Sequence, residues 1–231
     1  MTLEQFFKQT PEAAVAFSGG TDSAFLLWAA RHYGCRIHAY YMKTVFQPEF
    51  ELEDARRLAK QLDVPMTVVD LDVLAIPEAA ANGPRRCYHC KKALFSRLVE
   101  VARRDGYSLI LDGTNASDDA DDRPGMAALK ELKVVSKTQV RRLSREAGLF
   151  TWDKPAYACL ATRIPTYTTI RAEDLARIEQ AETLLADMGF SDFRVRLYEG
   201  GARIQMTESQ LPQLLDKRVE VVSALKPLVS A

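Results

Sequence analysis

The sequence predicts an α/β fold, in which a parallel sheet carries helices on both faces and a small α+β domain follows. Short apolar runs rich in β-forming residues alternate with segments of helical periodicity over the first two thirds of the chain. Repeated strand–helix units form parallel sheets, which bind ligands beyond the carboxyl ends of their strands. A chain of 231 residues, 47% of them hydrophobic, can build one large domain and a small one.

Four predicted strands and the helices between them account for the first domain, which we place at residues 1–166. The predicted strands are residues 13–17, 36–42, 66–71 and 108–112. The predicted helices are residues 22–33, 51–62, 91–104 and 136–147. The last of these helices begins at Ser136, a favourable N-cap, and ends before Gly148.

Residues 167–231 predict the small α+β domain. A long helix at 171–188 has its apolar side chains on one face, and Gly189 closes it. Two strands, at 193–198 and 202–206, flank a glycine pair typical of a hairpin, and short helices follow. We expect this domain to bind substrate or to join the protomers of a homo-oligomer.

Charge and hydropathy argue against several classes of partner. The 31 basic and 31 acidic residues cancel, which disfavours a broad nucleic-acid surface. No apolar run is long enough to span a bilayer, and the first four residues lack the basic region of a signal peptide. We therefore expect a cytoplasmic protein without a membrane partner. Its four cysteines fit thiols or metal ligands better than disulfides, and Cys35 fits a buried core position.

The segment after the first predicted strand carries the strongest functional signal. It reads Ser18-Gly19-Gly20-Thr21-Asp22-Ser23 and leads directly into a predicted helix. Glycines let the backbone approach a ligand and a helix start presents unpaired N–H groups, so the turn predicts an anion site. Three hydroxyls can add donors, which an ordinary glycine turn would not need. The segment resembles the PP-loop of ATP pyrophosphatases, which implies a Rossmann-like sheet and ATP at these six residues, with Asp22 holding Mg²⁺ or positioning the pyrophosphate.

Three cysteines are candidates for a metal or sulfur site. Cys87 and Cys90 form a C-x-x-C pair before a predicted helix, which fits a redox dithiol, half of a zinc site or half of an iron–sulfur site. No second C-x-x-C is present, and Cys159 is the third candidate. Three thiolates without a fourth suit a [4Fe–4S] cluster with one open iron. Alternatively, Cys159 alone is a reactive thiol, if Lys154 and Arg163 lie close enough to lower its pKa.

Two groups of charged residues lie at predicted ligand-facing positions. The loop that begins at Asp112 contains five aspartates, which could hold Mg²⁺ through water or form a solvated acidic surface. Within it, we expect Gly113 and Arg123 to lie beside the phosphates of ATP. Arg194 and Arg196 alternate along a predicted strand, so both leave the same face and could bind carboxylates or a phosphate. Ordinary surface arginines would show the same spacing.

Taken in order along the chain, these motifs resemble the LarE family, the ATP-dependent sacrificial sulfur transferases of nickel-pincer nucleotide cofactor assembly. The matching segments are residues 18–23, 86–91, 112–118, 123–125, 152–165, 194–196 and 202–204. The resemblance implies that a carboxylate of a pyridinium dicarboxylate mononucleotide attacks the α-phosphorus of ATP and releases pyrophosphate. A sulfur nucleophile then displaces AMP and leaves a thiocarboxylate. We expect Arg163, Arg194 and Arg196 to bind this small anionic substrate, because two of them share a strand face and Arg163 follows Cys159 by four residues.

The resemblance implies two possible sources of sulfur. In one branch of the family a single cysteine, here Cys159, gives up its sulfur and becomes dehydroalanine. In the other branch three cysteines hold a [4Fe–4S] cluster that passes on an extra sulfide, and Cys87, Cys90 and Cys159 match that pattern. The chain departs from the family at Gln205, where Glu is usual, and in a shortened segment between residues 132 and 137.

Two other functions are compatible with the sequence. A tRNA thiolase also combines a PP-loop, a C-x-x-C pair and a later cysteine around a cluster. Such enzymes normally carry a basic RNA-binding surface or an appended domain, and this chain shows neither. A non-catalytic adenine-nucleotide sensor with a structural metal would bind ATP without releasing pyrophosphate.

Overall fold

The computed structural model describes residues 2–113 and 137–229, which divide between two compact units. The first unit is drawn from Met1–Thr44, Glu49–Leu71 and Cys90–Ala156, and the second from Val45–Pro48, Asp72–His89 and Tyr157–Ala231. The second unit thus includes two segments that precede the boundary expected near residue 167. Arg123, Ser136 and the four aspartates at positions 118, 119, 121 and 122 lie outside the described residues, so their roles stay predictions.

A four-stranded parallel sheet forms the centre of the first unit. Its strands are β1 (Glu12–Ala16), β2 (Arg36–Lys43), β3 (Met66–Asp70) and β4 (Ile110–Asp112), in the order β3-β2-β1-β4. The chain moves outward from β1 to β3 and then adds β4 on the other side of β1. The strand order therefore reverses between β1 and β4, the place where sheets of this type bind ligands. The predicted α/β fold is confirmed.

The described helices are numbered in chain order across both units. They are α1 (Leu3–Gln9), α2 (Thr21–His32), α3 (Glu49–Gln61), α4 (Pro77–Ala80), α5 (Arg86–Arg104), α6 (Lys137–Glu146), α7 (Ala172–Asp187), α8 (Leu211–Asp216) and α9 (Arg218–Val229). The sequence analysis missed α1 and α4, which are short; α1 is held by a capping box between Thr2 and Gln5. It also placed the start of α5 too late, at residue 91.

The sheet of the first unit is covered on both faces. Ala13 and Val15 of β1 pack in a cluster with side chains of α2 and α3. The intervening Ala14 packs instead with Tyr40 and with Leu98 of α5. Since alternate residues of a strand point to opposite faces, β1 is buried on both, as its uninterrupted apolar run predicts.

An antiparallel hairpin and two helices form the core of the second unit. Strand β5 (Arg194–Tyr198) pairs with β6 (Gly201–Gln205) across a two-residue turn, in which Glu199 and Gly200 both have positive φ. The hairpin packs one face against α7 and α9. The buried apolar residues of this core are Ala181, Leu185, Phe190, Phe193, Val195, Val221 and Leu225.

No helix in the described part of the chain is long and apolar enough to cross a membrane.

Candidate active site

A glycine turn joins β1 to α2. Gly19 has a φ of 74°, in the left-handed region that favours glycine, and a Cβ there would lie 3.3 Å from the carbonyl oxygen of Glu51. Gly20 is the N-cap of α2 and has no side chain with which to cap the first turn. The turn therefore presents backbone N–H groups to an anion, in the field of a twelve-residue helix. Asp22, the second residue of α2, is half-buried beside these groups.

Hydroxyl groups hold this turn in shape. The Ser23 hydroxyl donates to the carbonyl oxygen of Gly20 at 3.1 Å and accepts from the Ser18 backbone N–H at 3.4 Å. The two serine hydroxyl oxygens lie 3.1 Å apart. Thr21 Oγ1 donates to the carbonyl oxygen of Thr151 at 2.7 Å. These hydroxyls thus fix the loop, and the Gly20 N–H in turn donates to the Ser18 hydroxyl at 3.4 Å.

The end of β4 lies against the glycine turn. Asp112, the last residue of β4, pairs with Ala16, the last residue of β1. A Cβ at the next residue, Gly113, would sit 2.7 Å from the backbone nitrogen of Ser23 and 2.9 Å from its Cα. The loop after β4 therefore begins against the first turn of α2, at the point where the strand order reverses.

Gly113→Ala is expected to weaken ATP binding by about tenfold or more, because its methyl group must displace the first turn of α2. Isothermal titration with a non-hydrolysable ATP analogue measures this change. Gly83→Ala is the matched control, since a Cβ at Gly83 meets no atom within 4 Å. Equal affinities of the two variants would contradict phosphate binding at this turn.

The two cysteines of the C-x-x-C pair lie within α5, not in front of it. Because α5 begins at Arg86, Cys87 and Cys90 occupy its first two turns, three residues apart on one side of the helix. Cys87 is exposed and Cys90 is half-buried. The thiolate is the form of cysteine that binds metals.

Cys159 stands at the start of a short 3₁₀ turn, Leu160–Arg163. Burial raises the pKa of its thiol, while the Arg86 guanidinium acts to lower it and Cys87 adds to the rise. Arg86 also donates to the carbonyl oxygen of Ala161 at 3.0 Å and lies 3.5 Å from Cys87 Sγ. The cation that acts on Cys159 is therefore Arg86.

Neither basic residue expected to act on Cys159 has that role in the described structure. Lys154 forms an ion pair with Asp54 at 2.8 Å, and Arg163 is committed to Glu182. Sequence proximity suggested both residues, but proximity along a chain does not fix which way a side chain points.

None of the four cysteines, all of which are described, forms a disulfide, and Cys35 is buried in the core of the first unit as expected. Among residues 2–113 and 137–229, no three His, Cys, Asp or Glu side chains are arranged to hold a metal ion. The structure therefore does not gather Cys87, Cys90 and Cys159 as a metal site, and their role as a ligand set stays a prediction.

The hairpin of the second unit carries arginines on one face. Arg194 stands opposite Gln205, and Arg196 stands opposite Arg203. Residues opposite each other in an antiparallel pair share a face, so three guanidinium groups leave this face while Val195 is buried on the other. Like charges directly opposite each other destabilise a hairpin, and a bound anion would offset that cost. Arg203 is a candidate that the sequence analysis missed.

Arg196 links this face to the cysteine-bearing segment. Its Nη1 donates to the carbonyl oxygen of Thr162, three residues after Cys159, and its Nε donates to Gln205 Oε1. Because Gln205 is neutral, the charge of Arg196 is not cancelled by this partner. The departure from the family at Gln205 thus leaves the face more positive.

Arg163 is buried, with 1% of its surface exposed. Its Nε and Nη2 donate to the Glu182 carboxylate at 2.9 and 3.2 Å, and its Nη1 donates to the carbonyl oxygen of Ala158 at 2.7 Å. Direct substrate binding by Arg163 stays a prediction, and it would require this network to open.

Sequence reasoning missed three polar residues around the site. A signal for Arg203 was present, because the two-residue turn places it opposite Arg196. Glu182 also gave a signal, since it interrupts the apolar stripe of α7 between Ile178 and Leu185. Arg86 begins the matching segment 86–91, but its contacts depend on distant segments.

Comparisons with known proteins agree with this fold. The family described as queuosine biosynthesis protein QueC matches residues 12–82, which contain the glycine turn. The solved structure of NMN synthetase from Francisella tularensis superposes with a TM-score of 0.57, over 67% of this chain and 72% of that chain. Its sequence identity is 17%, so this likeness concerns the fold alone.

Relatives match nearly the whole length of the chain. An uncharacterised protein of Synechocystis sp. is 35% identical over 224 residues, covering 92% of this chain and 83% of that protein. The pyridinium-3,5-bisthiocarboxylic acid mononucleotide synthase of Lactiplantibacillus plantarum is 33% identical over 224 residues, covering 93% of this chain and 81% of the synthase. The motifs, the fold and this identity agree, and the chain is an enzyme of the LarE family of ATP-dependent sulfur transferases.

Proposed function

We propose that this enzyme uses ATP to convert a carboxylate of an anionic pyridinium mononucleotide into a thiocarboxylate. The name of the Lactiplantibacillus relative describes such a product. The observation that carries the proposal is the bond from Arg196 to the carbonyl oxygen of Thr162, because it joins an anion-binding face to the segment of Cys159. A protein that only bound or hydrolysed ATP would need neither the arginine face nor Cys159.

The ATP-binding residues of the first half-reaction belong to the first unit. Backbone N–H groups at the start of α2 bind the phosphates of ATP, and Asp22 holds Mg²⁺ or positions the pyrophosphate. Arg123 adds a positive charge to the pyrophosphate. The substrate carboxylate attacks the α-phosphorus, the bond to the β-phosphate oxygen breaks, and pyrophosphate leaves. The products are pyrophosphate and an acyl-adenylate.

The second half-reaction replaces AMP with sulfur. AMP is a far better leaving group than oxide, so a thiolate can attack the acyl carbon and expel it. If Cys159 is the donor, a thioester forms, and loss of the Cα proton with cleavage of the Cβ–S bond releases the thiocarboxylate. Residue 159 is then left as dehydroalanine.

The alternative sulfur source is a [4Fe–4S] cluster held by Cys87, Cys90 and Cys159. Three thiols are chemically suitable ligands for such a cluster, since none of them is in a disulfide and two of them lie at a helix start. When bound, such a cluster would supply an additional sulfide as the nucleophile. Iron and sulfide analysis of anaerobically purified protein, together with its absorption spectrum, tests this ligand set.

The arginine face binds the anionic groups of the substrate. The chain has no net charge, so its overall field supplies no attraction for a nucleotide, and a local cluster must do so. We propose that Arg194, Arg196 and Arg203 form this cluster. Guanidinium groups suit this task because they bind carboxylates and phosphates through two parallel hydrogen bonds.

Replacing Arg194 and Arg196 together by Ala is expected to raise the KM for the pyridinium substrate by about a hundredfold or more. Each charged hydrogen-bonding contact contributes about 1.5–3 kcal/mol. Pyrophosphate release at increasing substrate concentration measures the KM, and the Kd of ATP should not change. Arg218→Ala, an exposed arginine at the start of α9, is the control. A double variant with the KM of the wild type would refute the assignment.

The function itself is tested by incubating the enzyme with ATP, Mg²⁺ and pyridinium dicarboxylate mononucleotide. We expect release of pyrophosphate that depends on substrate, and a product in which oxygen is exchanged for sulfur by mass. ATP binding without pyrophosphate release would favour a nucleotide sensor. Mass spectrometry of the peptide around Cys159 distinguishes dehydroalanine from an intact cysteine.

We further propose that the enzyme acts in the cytoplasm as a homo-oligomer. Light scattering coupled to size-exclusion chromatography tests the oligomeric state.

A further inference from the structure

A buried carboxylate interrupts the apolar stripe of α7. Glu182 lies between Ile178 and Leu185 on the face that packs into the second unit, and 7% of its side chain is exposed. Carboxylates are rarely buried to this extent unless they are paired and hydrogen-bonded.

Glu182 accepts hydrogen bonds from three residues in two segments of the second unit. Arg163 donates from Nε and Nη2, at 2.9 and 3.2 Å. The Tyr157 hydroxyl donates to Oε2. The backbone N–H of Val195 donates to Oε1 at 2.8 Å. One carboxylate therefore ties α7 to the segment 157–163 and to strand β5.

These partners contact both proposed functional groups, the segment of Cys159 and the arginine face. Arg163, on the side away from Glu182, donates to the carbonyl oxygen of Ala158 at 2.7 Å and to Thr162 Oγ1 at 2.8 Å. It thus holds the main chain just before Cys159 and the side chain of Thr162 after it, and Thr162 Oγ1 in turn donates to the carbonyl oxygen of Cys159 at 2.9 Å. The Tyr157 ring contacts two guanidinium carbons, that of Arg163 at 4.6 Å and that of Arg194 at 5.3 Å from the ring centre.

Stability alone does not account for this arrangement. A well-packed apolar side chain at position 182 would hold α7 without the cost of removing charges from water. Burying an ionic network costs free energy, because charges are removed from water. A network that joins several segments can instead specify one geometry.

We propose that Glu182 is a positioning residue for sulfur transfer, which holds the Cys159 segment against the strand that carries Arg194 and Arg196. The inference rests on the proposed function. An acyl-adenylate bound by the arginines would then meet the sulfur before water reaches it. Glu182 itself touches neither the substrate nor the reacting atoms in this scheme.

The test compares two products of one reaction, pyrophosphate and thiocarboxylate. Glu182→Gln keeps the length of the side chain and the acceptor for Val195 but loses the charge that binds Arg163. Tyr157→Phe removes a single donor and keeps the ring between the two guanidinium groups. We expect the wild type to release about one pyrophosphate per thiocarboxylate and both variants to release at least about ten, because displaced sulfur lets water capture the adenylate.

This ratio separates positioning from folding. A variant that was merely less folded would lose both products in parallel and leave the ratio unchanged. Glu173→Gln, an exposed glutamate in the first turn of α7, is the control and should keep the wild-type ratio. The rate at which iodoacetamide alkylates Cys159, read by mass spectrometry without substrate, should also change in the two test variants and not in the control.

Each outcome decides a separate question. A wild-type enzyme that forms no thiocarboxylate would overturn the proposed function. Wild-type transfer with unchanged ratios in both variants would overturn the role of Glu182 alone. If Glu182→Gln fails to fold, the ratio in Tyr157→Phe decides.

Discussion

Asp22→Ala is expected to reduce ATP-dependent pyrophosphate release by about a hundredfold or more while the fold is kept. Asp22 is the second residue of α2, where backbone N–H groups are presented to the phosphates. Its carboxylate is the charge proposed to hold Mg²⁺ there, so its loss removes stabilisation where negative charge develops in the transition state. Alanine is a good helix former, and the structural cost is limited to one favourable charge at a helix start.

A coupled phosphate assay at saturating ATP, Mg²⁺ and substrate measures this loss. Asp22→Asn should behave like Asp22→Ala, because it keeps the size of the side chain and removes its charge. Asp187→Ala, which removes an exposed carboxylate at the end of α7, should release pyrophosphate at the wild-type rate. Wild-type release by Asp22→Ala, with circular dichroism showing a folded protein, would exclude this nucleotide site.

Cys159→Ser is expected to abolish thiocarboxylate formation and to leave substrate-dependent pyrophosphate release in place. A serine hydroxyl is nearly the size of a thiol, but it is a weak nucleophile at neutral pH and a poor ligand for iron. Both proposed sulfur sources need the sulfur at position 159. The first half-reaction does not need that sulfur.

Parallel serine variants of Cys87 and Cys90 separate the two sources. If a cluster supplies sulfide, both variants should lose sulfur transfer and should also lose their bound iron. If Cys159 is consumed, both variants still transfer one sulfur per protein. Thiocarboxylate formation by Cys159→Ser would contradict both mechanisms.

The sheet could be predicted from sequence because its strands are buried and nearly continuous in apolar residues. The strand predicted at 36–42 is β2, Arg36–Lys43, and the strand predicted at 13–17 is β1, Glu12–Ala16. The start of α5 could not be predicted. Cysteine, tyrosine and histidine are weak helix formers, and the first turn is held by contacts of Arg86 with Asn82 and with the carbonyl oxygen of Ala161.

The glycine turn could be recognised from sequence because its signal is local. Six consecutive residues define the turn. The environment of Arg163 could not be recognised in this way. Its partner Glu182 lies nineteen positions later, and sequence does not show which distant charges become buried together. The membership of residues 45–48 and 72–89 in the second unit depends on the same kind of distant contact.

The anchors around Cys159 are made to the main chain. Arg86 binds the carbonyl oxygen of Ala161, Arg163 binds that of Ala158, and neither bond uses the sulfur atom. A molecule that had given up the sulfur of Cys159 would therefore keep its folded shape. Chaperones and proteases that recognise unfolded chains would therefore not recognise an enzyme that had lost this sulfur. The cell would need either a reaction that restores the residue or steady synthesis of new protein to sustain the output of cofactor.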